Sequence, residues 1–117
     1  MKRVLAIGGY FIRAADAAAL GAWDRACLRL DADEQRIWRQ QPGVTVFATF
    51  ESASGHFGSR THRTMLNFHV ADLDTMLAQL REKGADVGNE VQEMAGIGRF
   101  GWVTDQEGNR IELWQPS

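Results

Sequence analysis

The chain has 117 residues, 44% of them hydrophobic and 24% charged, with a net charge of −2 at neutral pH. That length suits one domain with one core. The balance lacks the basic footprint of a nucleic-acid binder, and no run approaches the ~20 apolar residues of a membrane-spanning helix. Cys27 is the only cysteine, so no internal disulfide can form. It is expected to pack as a small hydrophobe, and a cytoplasmic location is expected.

The segment from Arg3 to about Ile12 reads as a first strand. Its apolar part is too short for a signal peptide. A helix follows, with Asp16 as N-cap, Ala17, Ala18 and Ala19 favouring helix on propensity, and Leu20, Trp23 and Cys27 forming its apolar stripe. Val44 to Phe50 is a second strand. Glu51 to Arg63, rich in serine and glycine, is the connector between halves. A strand from Thr64 to Val70 leads to a helix capped by Asp72. Leu73, Met76, Leu77 and Leu80 give that helix its i, i+3, i+4, i+7 stripe, and Gly84 stops it. Two strands, roughly Arg99 to Thr104 and Asn109 to Trp114, close the chain around the turn Gln106-Glu107-Gly108-Asn109. On the last strand Ile111 and Leu113 point one way, and Arg110, Glu112 and Trp114 the other. A carboxylate between apolar neighbours mid-strand is costly to bury without a purpose.

The order strand, helix, strands therefore occurs twice, at weak identity. The expected division is a first module over about 1–51, a connector over about 52–62 and a second module over about 63–117. The hairpin Asp105-Gln106-Glu107-Gly108-Asn109-Arg110-Ile111-Glu112-Leu113 resembles the end of a domain of the vicinal oxygen chelate superfamily, the group of glyoxalases, bleomycin-resistance proteins and extradiol dioxygenases. Asn67-Phe68-His69-Val70-Ala71-Asp72-Leu73 resembles the strand-to-helix entry of that fold's second module, and Phe11-Ile12-Arg13-Ala14-Ala15-Asp16 the same entry in the first. The resemblance implies an α+β fold of two βαβββ modules whose curled mixed sheets enclose a cavity.

Metal-dependent members of the superfamily use four ligands. Carried over position by position, these fall on Gly9, Phe47, Met65 and Glu112, and only Glu112 is a ligand type. A divalent Zn, Ni, Mn or Fe ion wants three or four fixed N, O or S donors. No cofactor is therefore expected, unless Glu51, His56 or His62 reaches the cavity. Alternation assigns Phe11, Arg13, Phe47, Arg63, Met65, Asn67, His69, Arg110, Glu112 and Trp114 to the cavity, with Phe100 and Trp102 or Gly101 depending on register. The aromatic rings offer flat surfaces, Asn67 and His69 can donate and accept, and Arg13, Arg63 and Arg110 can grip an anion bidentately. Gly96 and Gly98 suggest a flexible loop over the mouth. The expected function is metal-free binding of a small aromatic or anionic molecule by a homodimer, with no nucleic-acid or membrane partner. The alternative is a lyase, isomerase or dioxygenase-like enzyme with Glu112 as general base or metal ligand.

Overall fold

The computed structural model describes residues 1–117. Its elements are α1 (Ala17–Trp23), a π-helical turn (Asp24–Leu28), β1 (Leu66–His69), α2 (Leu73–Glu82), β2 (Asp86–Val87), β3 (Gln92–Met94), β4 (Gly98–Thr104) and β5 (Arg110–Pro116). The fold is α+β, with one open mixed sheet. Its order is β1-β5-β4-β2, and β3 pairs with the other end of β4. β1 runs parallel to β5, and all other pairs are antiparallel. No helix is long and apolar enough to cross a membrane.

Both expected helix caps form. Asp16 Oδ1 accepts from the Ala19 N–H at 3.0 Å, and Asp72 Oδ1 from the Thr75 N–H at 3.1 Å. Gly84, at φ 77°, follows the end of α2 in the left-handed conformation that closes helices. Leu73, Leu77 and Leu80 of α2 are buried against Val103, Ile111 and Leu113 of the sheet. Trp23, Cys27 and Leu28 complete this core from the first helical segment. Gly101 lets α2 lie close to β4, since a Cβ there would stand 3.1 Å from a Leu77 methyl. The core thus occupies one face of the sheet and leaves the other for the site.

The β4–β5 turn is built by Asp105. Its Oδ1 accepts from the Glu107 and Asn109 N–H groups at 2.9 Å each, and Oδ2 from the Asn109 amide at 2.8 Å. Glu107 in turn accepts from the Ala15 and Asp16 N–H groups at 2.8 and 3.2 Å. The hairpin therefore anchors the start of α1.

The first half departs from expectation. Arg3 to Ile12 and Val44 to Phe50 form no strand and join no ladder. Residues 1–15 and 38–50 make no backbone–backbone hydrogen bond at all. Alternation specifies an extended segment, but a strand needs a neighbour, and within one chain these have none. Two further strands, β2 and β3, went unexpected, being too short to show a period. The Gly96–Gly98 stretch is not a flexible loop over a cavity: it is the β3–β4 turn. It is pinned by Trp114 Nε1, which donates to Ile97 O at 3.0 Å, and by the Ser117 N–H, which donates to the same oxygen at 3.1 Å.

Candidate functional site

The sheet face opposite the core carries two rows of side chains across β1, β5 and β4. The register Asn67–Glu112–Trp102 sets the first row, and His69–Trp114–Phe100 the second. The register left open in the sequence is thereby fixed: Phe100 and Trp102 face the site, and Gly101 faces α2.

The first row is a polar cluster built on a buried carboxylate. Glu112 is 6% exposed. Its Oε1 accepts from Asn67 Nδ2 at 2.7 Å. Its Oε2 accepts from Trp102 Nε1 at 3.0 Å and lies 2.9 Å from His56 Nε2. His56 arrives from the connector, which folds inward over this row. Arg110 Nε donates to the His56 carbonyl at 3.1 Å, and the Arg110 guanidinium lies 4.9 Å from the Trp102 ring centroid. Gly58 helps the connector fold there: it adopts φ 79°, and a Cβ would meet Arg110 Cδ at 3.1 Å. His56 stacks on Phe50, with ring centroids 5.1 Å apart and planes 3° apart.

The second row is an aromatic platform. Phe100 and Trp114 stack at 6.1 Å with planes 3° apart, and His69 leans on Trp114 at 6.3 Å. His69, on the open edge strand β1, is exposed. Nothing from the chain covers this row as the connector covers the first.

Of the residues expected at the site, the structure brings together Asn67, His69, Trp102, Arg110, Glu112 and Trp114 on one sheet face. Met65 precedes β1 and is half-buried. Phe11, Arg13, Phe47 and Arg63 do not join the group within this chain. Phe11 is 95% and Phe47 84% exposed, because the segments that carry them have no ladder to hold them against the sheet. Arg13 and Arg63 are likewise exposed. His56 is the contributor that strand alternation could not assign, since a connector has no period; Gly55 and Gly58 around it were the only sign of a tight fold.

Within one chain the donors at the site form no metal cluster. Of the three superfamily positions other than Glu112, Gly9 and Phe47 supply no ligand atom and Met65 only a soft thioether. No three His, Cys, Asp or Glu side chains come together. Both Glu112 oxygens already take N–H donors, and an indole N–H cannot turn into an acceptor.

The mixed sheet carries its helices on one face and Glu112 of its last strand on the other, an arrangement in keeping with the vicinal oxygen chelate superfamily. The chain belongs to the glyoxalase-like domain family, whose pattern it matches over residues 9–114. Comparison with curated proteins gives no match. Among solved structures, it is similar to a member of the glyoxalase/bleomycin resistance protein/dioxygenase superfamily from Sphaerobacter thermophilus, at 24% identity over 43% of this chain and 40% of that one, with a TM-score of 0.39. It is also similar to an antibiotic binding protein from Streptomyces sp. CB03234, at 36% identity over 44% of this chain and 41% of the other, with a TM-score of 0.38. The matched stretch thus spans about two fifths of either structure's own length. An integron cassette protein from the mobile metagenome of V. Cholerae matches over 89% of both chains at 14% identity and a TM-score of 0.55, a likeness of fold.

Proposed function

We infer that this protein binds a small aromatic or anionic compound on the sheet face of the two rows, without a catalytic metal, as a homodimer. The carrying observation is Glu112. Three N–H donors, from Asn67, Trp102 and His56, occupy three of the carboxylate's four lone-pair sites, and no third His, Cys, Asp or Glu joins Glu112 and His56 to make a metal cluster. The same contacts leave Glu112 a single open lone-pair site, on Oε1, for work as a general base. The platform of His69, Trp114 and Phe100 supplies the flat apolar surface that an aromatic ligand needs, and Arg110 at the margin suits an anionic group.

The first half of the chain supports the homodimer. Exposed Val4, Leu5, Phe11, Val44, Val46 and Phe47 lie on segments without backbone partners. Such segments pair with whatever strand edge is available, and a second copy presents the same open sheet. Pairing there would cover Phe11 and Phe47 and bring the first-half residues to a cavity.

Native mass spectrometry of protein purified without chelator tests both parts. A metal-free dimer is expected. One transition metal per subunit would overturn the metal-free reading, and a monomer at micromolar concentration would overturn the dimer.

A further inference from the structure

The imidazole of His56 is held by its neighbours on all but its Nδ1 edge. Phe50 stacks on its face, and Phe57 and Trp102 stand roughly perpendicular to it with centroids at 6.3 and 6.2 Å. Arg110 holds its backbone carbonyl. Its Nε2 lies 2.9 Å from Glu112 Oε2, an oxygen that already accepts from the Trp102 indole. Against an ionised carboxylate, Nε2 carries the hydrogen and donates. A neutral imidazole with its hydrogen on Nε2 has a bare lone pair on Nδ1. That nitrogen makes no hydrogen bond within the chain, and it is not one of the buried atoms left without a partner, so it opens to solvent. The opposite tautomer would set an Nε2 lone pair against the carboxylate, acceptor to acceptor.

We propose that His56 reads the ligand: its Nδ1 accepts a hydrogen bond from the ring hydroxyl or ring N–H of a planar aromatic compound, and Glu112 is the positioning residue that fixes the tautomer. The inference rests on the small-molecule-binding reading above and names the ligand class within it. Phenol-like and azole-like rings satisfy Nδ1. Their O- or N-methylated counterparts lack that donor and leave Nδ1 unpaired, and specificity of this kind comes from the mismatch as much as from the match.

The probes are 2-naphthol and 2-methoxynaphthalene, equal in ring system and differing in the donor. Binding to the full-length protein is followed by calorimetry at neutral pH. The wild type is expected to prefer 2-naphthol roughly fivefold, the worth of one net hydrogen bond. His56→Phe keeps a ring to stack on Phe50 but has no acceptor, and should bind both probes equally. His56→Gln can donate to Glu112 and still present an oxygen, and should restore the preference. A long-range proton–nitrogen NMR spectrum of the neutral wild-type imidazole should show the hydrogen on Nε2. A histidine with only a structural role would show the same tautomer, so it is the probe preference and its loss in His56→Phe that separate the two roles. A hydrogen on Nδ1, equal affinities in the wild type, or an undiminished preference in His56→Phe overturns the role of His56 while leaving the binding reading intact. Failure of both probes to bind overturns the two together.

Discussion

Asp24 opens the π-helical turn where the first helix enters the core, and its carboxyl is pushed up from 3.8 to about 6. Burial is the main cause, the nearby Asp105 carboxylate adds repulsion, and Arg25 offsets part of it. Because the folded-state value is raised, the protonated group contributes stability that is fully present below about pH 4 and is lost as pH rises through about 6. A shift of about two units corresponds to ~3 kcal/mol at most. Asp24 is only half-buried, and solvent screening reduces this to about 1 kcal/mol. Asp24→Asn removes the charge and breaks no side-chain hydrogen bond of the folded chain. At pH 7 the variant should therefore be more stable by about 1 kcal/mol, with most of the gain gone by pH 4. Urea titrations at several pH values, followed by tryptophan fluorescence, read the difference from the midpoints. A gain that stays constant with pH, or a loss at pH 7, would refute the assignment of strain to this ionised carboxylate.

Two further substitutions test the frame of the site. Gly98 sits at φ 138°, where a Cβ would collide with the Gln115 carbonyl and stand 2.8 Å from Trp114 Nε1. Gly98→Ala should cost at least about 2 kcal/mol of stability and loosen the Trp114 platform, seen as a lower melting temperature and altered near-ultraviolet dichroism. Asp105→Ala leaves the Glu107 and Asn109 donors without their acceptor at a position only 7% exposed. The expected loss is about 2 kcal/mol in chemical denaturation, and an effect below ~0.5 kcal/mol would mean water replaces the carboxylate without cost.

Local signals carried what was legible in the sequence. The caps Asp16 and Asp72 and the Leu73–Leu77–Leu80 stripe depend on residues within a few positions of one another. Two-residue alternation along β1 and β5 placed Asn67, His69, Glu112 and Trp114 on one face, because the pleat enforces it. The β4 register needed a partner strand before Trp102 could be told from Gly101. The position of His56 was not legible, since it depends on Arg110 reaching its carbonyl across 54 positions of sequence. The first half illustrates the same divide: Val44-Thr45-Val46-Phe47 shows the composition of a strand, but composition does not supply the neighbouring edge that a ladder needs.

The unpaired backbone of residues 1–15 and 38–50 makes assembly visible to hydrogen exchange. In a lone chain these amides, apart from that of Ala15, which Glu107 holds, should exchange about as fast as in an unfolded peptide, while those of β4 and β5 are slowed by their ladder. Joining a second copy would move the first set into the protected class and leave the second almost unchanged. A map of protection against protein concentration would then trace the contact line between subunits residue by residue.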